Sequence, residues 1–228
     1  MDKLFWYSYY SMTGIEVLIL IPFILNYKLL DPPSRRIFYY IISSIVFAVG
    51  SDLLAKIFQN NMLFFKLMYF VQFVILSLFY YTCIKSQSIR RLIKVMPLVV
   101  ALVFAIDLWI IEGVYNYNSI SAGVRSIVVL IYGGIYFWQL LTDKELIEKS
   151  IYIDTLPSFW YNAGVFLFYC TVFLFNISYN LLQKVFSNNP RGNLISTVLT
   201  INNVVGIIAM ILLYIGLSKL KKLRYANS

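Results

Sequence analysis

The chain is 228 residues long, 61% apolar and 13% charged, with a formal charge of +9 and no histidine. Soluble chains carry about 25% charged residues, so a mean hydropathy of +0.77 excludes a soluble domain. Without histidine there is no His-ligated zinc hydrolase, ordinary haem site, Ser-His-Asp triad or imidazole pH switch.

In chain order the apolar runs predict seven membrane spans, at about 7–29, 37–58, 62–84, 92–112, 122–142, 158–183 and 193–217. The expected fold is all-α: residues 1–228 form one polytopic seven-helix bundle. An outer-membrane barrel would show short alternating segments, which are missing. The opening MDKLFWYSYYSMTG runs straight into the first span, so no cleaved signal peptide is predicted. Asp31-Pro32-Pro33-Ser34, Gln59-Asn60-Asn61, Asn116-Tyr117-Asn118-Ser119 and Ser187-Asn188-Asn189-Pro190 mark turns. The connections are short, so neighbouring helices run antiparallel. Pro32, Pro33 and Pro157 are expected in loops.

Basic residues set the expected orientation. The first, third and fifth connections and the tail hold thirteen Lys and Arg, against five in the even connections and the adjoining span ends. The N-terminus is therefore expected outside and the C-terminus in the cytoplasm, in a multi-pass protein of the inner membrane. The charge reads as topology and contact with membrane lipids, and no segment suits nucleic acid. Cys83 and Cys170 read as small hydrophobes, not as a disulfide or metal pair. The fifth connection, Asp143–Leu156, reads either as a short helix in the inner interface or as a solvated linker. Aromatic clusters at span ends read as an interfacial belt.

In the sixth span Asn162, Phe166, Tyr169, Phe173, Asn176, Asn180 and Gln183 fall on one helical stripe. Amides are costly against lipid tails, so the stripe should face other helices or a wet cavity. Arg125, Tyr132, Tyr136 and Gln139 line one face of the fifth span, and Ser196, Thr200, Asn203, Met210 and Tyr214 one face of the seventh. Ionisable groups inside spans are functional candidates by default. Glu16, Asp52, Lys56, Lys66, Asp107, Glu112 and Arg125 fall in the outer half, with Gln72, Asn176, Asn180 and Asn203 at similar or slightly deeper levels, while the inner half reads as dry. The candidate ligand-binding set is Glu16, Asp52, Gln72, Asp107, Arg125, Asn176, Asn180 and Asn203. The same groups also suit structural pairs: Asp52 with Lys56, and Glu16 or Asp107 with Arg125 or Lys66. Lys56, Lys66 and Glu112 are near enough to the interface to snorkel.

Lys66–Tyr81 (KLMYFVQFVILSLFYY), the Asn118–Leu141 block and Pro157-Ser158-Phe159-Trp160 with Gly164 and Tyr169 resemble a group of small bacterial seven-helix membrane proteins that are loosely sensor-like. The likeness covers most of residues 35–183. It implies a shared fold and brings no reaction with it. Members often carry Glu where this chain has Gln72. A retinal pigment would need a lysine in the last span, and none lies in 193–217. Transporters built on proline-glutamine motifs are similar in length, but no Pro-Gln pair occurs.

Three functions are therefore expected, in this order. The first is a non-enzymatic, receptor-like sensory module with an outward-facing polar pocket for a small molecule or ion. It would use no cofactor or metal and would pass its state to a cytoplasmic or membrane protein partner. The second is a small-solute or ion transporter, and the third a membrane-embedded enzyme using Glu16, Asp52 and Asp107.

Overall fold

The apolar runs fold as seven long helices: α1 (Lys3–Leu25), α2 (Pro32–Phe58), α3 (Met62–Cys83), α4 (Gln87–Ile106), α5 (Ser119–Thr142), α7 (Pro157–Phe186) and α8 (Gly192–Ala226). The short α6 (Lys144–Glu148) lies between α5 and α7. These come from a computed structural model that describes residues 3–111, 113, 117, 119–148, 150, 152–186 and 192–226. Side chains are described to Asn176 in α7 and from Ser196 to Leu223 in α8. All seven helices are long and apolar enough to cross a membrane, and no strand occurs among the described residues.

Helix limits depart from the hydropathy reading where local chemistry extends a helix. Pro32 and Pro33 are the first turn of α2, not loop, and Asp31 caps it by accepting the Ser34 N–H at 3.0 Å. Proline suits this position because an N–H there would have no helical partner. Pro157 likewise opens α7. The last helix runs well past position 217, because Lys219, Lys221 and Lys222 are good helix formers that need no apolar surroundings.

The helices close a ring in which α1 packs on α2 and α8, α2 on α3, α3 on α4 and α5, α5 on α7, and α7 on α8. Side-chain register shows the directions. Pairing of Gly216 with Pro157, Gly164 with Ala209 and Thr171 with Asn202 makes α7 and α8 antiparallel. Arg125 with Tyr69, Tyr132 with Tyr80 and Gln139 with Cys83 make α3 and α5 parallel. The α7–α8 seam is close because glycines face it: a Cβ on Gly164 would lie 2.8 Å from the Ala209 carbonyl oxygen. Glycine lets two backbones approach where lipid supplies no hydrophobic drive between helices.

The aromatic clusters divide between belt and core. Tyr7, Trp138 and Tyr152 are exposed at helix ends, whereas Phe79, Tyr80 and Tyr161 are fully buried. At the end opposite the N-terminus, α6 is capped by Asp143, whose other oxygen binds Lys85 Nζ at 2.7 Å. The ammonium holds the Asp143 carboxyl below its ordinary range, and Asp143 raises Lys85 in turn. Lys219 reaches Asp154 at 3.1 Å, tying the end of α8 to the segment before α7. The fifth connection is thus a short helix followed by a 3-10 turn at Ile153–Thr155, with Leu146 and Ile153 packed on the core.

Candidate functional site

Where α1 begins, α4 departs from α-helical geometry. Asp107–Ile111 forms a π-turn, which adds a residue to the turn and re-aims the side chains around it. Asp107 is turned fully inward, while Trp109 and Ile110 are exposed. The turn closes on Gly113, whose N–H reaches the Asp107 carbonyl at 3.3 Å and whose φ of +80° suits glycine.

The Asp107 carboxylate serves the neighbouring helix. Its Oδ2 accepts the Ser121 N–H at 3.0 Å in the first turn of α5, where free N–H groups and the helix dipole favour negative charge. Its Oδ1 is buried with no hydrogen-bond partner among the described residues. We predict that Asp107→Asn, which keeps an acceptor, leaves the melting temperature within a degree or two of wild type. Asp107→Leu should cost about 0.5–2 kcal/mol, the usual cost of a lost cap, read by thermal unfolding in detergent. Equal losses in the two variants would mean that the negative charge, not the cap, is what α5 needs.

One turn further along α5 lies Arg125, the largest fully buried side chain, 2% exposed. Its guanidinium lies 4.0 Å from the Tyr69 ring centroid and 5.4 Å from that of Tyr169, and Nη1 donates to the Tyr69 carbonyl at 3.2 Å. Nε is buried without a partner among the described residues. No carboxylate forms an ion pair with Arg125 among the described residues. Two tyrosine faces each contribute about 1–2 kcal/mol to holding a desolvated cation, but neither neutralises it.

Asn176 on α7 completes the cluster. Its amide donates to the Ala122 carbonyl at 3.2 Å and to Ser126 Oγ at 3.1 Å, and its oxygen accepts from the Tyr117 hydroxyl. Lys66 is not at the surface as a snorkelling residue would be. It is 6% exposed, and Nζ donates to the Gly113 carbonyl at 2.6 Å, because the turn after α4 folds that carbonyl over it. Lys66, Tyr69, Tyr117 and Ser121 also line a cavity of about 10 Å³, room for about one water molecule.

Five of the eight candidate residues thus fall into two groups. Asp107, Arg125 and Asn176 come together where α3, α5 and α7 meet beside the π-turn. Glu16 and Asn203 lie on the seams of α1: Glu16 accepts from Ser44 at 2.6 Å, and Asn203 donates to Ser8 at 3.0 Å. Asp52 is half-buried in α2 beside Tyr9. Gln72 is buried in α3 with no hydrogen bond to a described residue. The side chain of Asn180 lies outside the described residues, as does Glu112. None of the expected ion pairs forms among the described residues: Glu16 takes a serine, Asp107 a backbone N–H, and Lys56 is exposed.

As far as Asn176 the sixth-span stripe faces helices: Asn162, Tyr169 and Asn176 are buried, and both amides bond α5, while the side chains of Asn180 and Gln183 lie outside the described residues. The stripe on the last span ends early, with Tyr214 46% exposed. The far half of the bundle is less dry than its composition suggests. Tyr80 donates to Asn162 at 2.8 Å, Tyr136 to Ser158 at 2.6 Å and Ser34 to Tyr161 at 3.0 Å. The asymmetry between the two halves is one of charge, not of polarity.

Sequence reasoning put Tyr169 on the inward-facing stripe but missed Tyr69, Tyr117 and Ser121 as members of the cluster. A sign was present: an arginine inside a span with no acid in its own helix must find aromatic faces or carbonyls elsewhere. No protein-family model, curated protein or solved structure matches the chain.

Proposed function

We propose that the protein is a receptor-like, non-enzymatic sensory module of the bacterial inner membrane. In this reading the N-terminus faces outward and the basic end faces the cytoplasm, as the distribution of Lys and Arg suggests. The ligand is a small solute or ion bearing negative charge, admitted beside the π-turn, and a cytoplasmic or membrane partner reads the change.

One observation carries this reading: Arg125 is a buried cation whose Nε has no partner and which forms no ion pair with an acid among the described residues. A charge buried without compensation is expensive, and an anion is what would relieve it. Asp107, which caps α5 and belongs to the π-turn, supplies a route from ligand to helix position, since α4 and α5 meet through it.

Transport is the second reading, and it draws on the hydrogen-bonded tyrosines and amides that carry polarity toward the far end. Against it, α7 crosses unbroken, whereas transporters usually break helices at a midplane site. Catalysis has less to build on, since Glu16 and Asp107 sit on different seams.

The test is a thermal-unfolding screen in lipid nanodiscs with chloride, acetate, phosphate and acidic amino acids, repeated on Arg125→Met. At least one anion should raise the melting temperature of wild type by several degrees and leave the variant unmoved. If no anion shifts wild type, or both proteins shift equally, the proposal fails. Flux of the stabilising anion across proteoliposomes would move the assignment to transport.

A further inference from the structure

On the lipid-facing side of the bundle, away from the Arg125 cluster, α2 and α3 leave a second opening. At the end where α1 begins these helices interlock: Gly50 lies against Phe64, and Phe47 meets Phe65 edge to face at 4.6 Å between centroids. Toward the other end a groove of about 430 Å³ opens between them. Val46 on α2 and Val71, Ile75 and Leu78 on α3 form apolar walls, and Arg36 and Tyr39 close the far end. The Ser43 hydroxyl, beside the apolar walls, is committed to the Tyr40 carbonyl at 2.7 Å.

We propose that this groove holds one anionic phospholipid, its acyl chain against the apolar walls and its headgroup on Arg36. Length fits. Arg36 to Val46 is ten residues of helix, about 15 Å at 1.5 Å per residue, or half of a hydrocarbon core of about 30 Å. The groove therefore spans a single leaflet with the guanidinium at headgroup depth.

Charge fits as well. Arg36 Nε is buried with no partner among the described residues, while the neighbouring Arg35 is occupied by the Leu30 carbonyl at 3.1 Å and the Tyr27 ring. The nearest acid in the chain, Asp31, is engaged in capping α2. A basic pocket between membrane helices selects anionic headgroups over zwitterionic ones. The Tyr39 hydroxyl, which shares a hydrogen bond with Tyr27 at 2.9 Å, marks the same interfacial level.

The experiment extracts the protein from vesicles of equal phosphatidylglycerol and phosphatidylcholine and counts retained lipid by native mass spectrometry. Wild type should retain one phosphatidylglycerol per chain, preferred about fivefold, the effect expected of one basic residue at an anionic surface. Arg36→Gln should bring the two lipids to parity. Val71→Trp, which fills the groove from the lipid side, should expel both. Arg91→Gln removes an exposed cation from the adjoining helix and should change nothing. Equal retention of both lipids by wild type would overturn the assignment, as would a preference that survives Arg36→Gln or falls equally with Arg91→Gln. A dimer in place of bound lipid would assign the groove to a second copy of the chain and overturn it too.

Discussion

Gly164→Leu should remove most of the folded protein, whereas Gly134→Ala should leave it intact. A Cβ on Gly164 would sit 2.8 Å from the Ala209 carbonyl oxygen and 3.3 Å from atoms of both Leu212 and Leu213. The first of these is backbone and cannot swing aside, so α7 and α8 must move apart. Forcing extra atoms into a packed seam typically costs about 1–3 kcal/mol. A leucine adds further atoms beyond the Cβ, and the seam cannot open only locally. Gly216 meets Tyr161 and the Pro157 carbonyl on the same pair of helices, so separation at Gly164 strips contacts at both ends. Gly134 has nothing within 4 Å of its would-be Cβ. Alanine there should be neutral or gain about 0.5–1 kcal/mol from reduced backbone freedom. Size-exclusion profiles after a thermal ramp would report both variants. A monodisperse, heat-resistant Gly164→Leu would show that the α7–α8 spacing is not set by glycine.

Arg125→Met should yield a protein at least as stable as wild type, and Arg125→Ala one that is clearly weaker. Methionine fills most of the space between Tyr69 and Tyr169 and removes a buried, unneutralised charge. Replacing buried charged groups with apolar side chains is often neutral or stabilising by about 1–4 kcal/mol. The lost attraction to the two rings, about 2 kcal/mol or more when desolvated, offsets part of that gain. Alanine instead leaves a cavity where the largest buried side chain stood, and truncations of this size cost about 2–5 kcal/mol. Thermal unfolding of the three proteins in the same nanodiscs gives the ranking. If methionine is as damaging as alanine, the guanidinium is structural cement and the anion site loses its basis. If methionine is tolerated while the response to anions disappears, the arginine is kept at a cost to stability, as a binding group would be.

The seven helices long and apolar enough to cross a membrane were legible because each is a run of apolar residues long enough to span lipid and is bounded by Asn, Asp, Ser and Pro. Helix ends were less legible. Hydropathy cannot see that Pro32 and Pro33 begin a helix behind the Asp31 cap, or that a lysine-rich segment continues α8 beyond the apolar run. The stripe through Asn162, Tyr169 and Asn176 could be read from helical periodicity alone, and it does face α5. The partners of Glu16 and Lys66 could not be read that way. Opposite charges suggested ion pairs, but Ser44 and the Gly113 carbonyl are the groups that the folded chain brings within reach.

By itself, then, the order of residues determined that this protein is all-helical, apolar enough to cross a membrane seven times, and furnished with polar groups that must turn away from lipid. Hydrophobic length and helical period are properties of single segments, so they survive without knowledge of neighbours. Only the tertiary structure decided which helix meets which, that a π-turn swings Asp107 onto the start of α5, and that Arg125 lies between two tyrosines with no ion pair among the described residues. Those outcomes depend on how closely helices approach and which backbone groups they expose to each other, and no single segment encodes that distance.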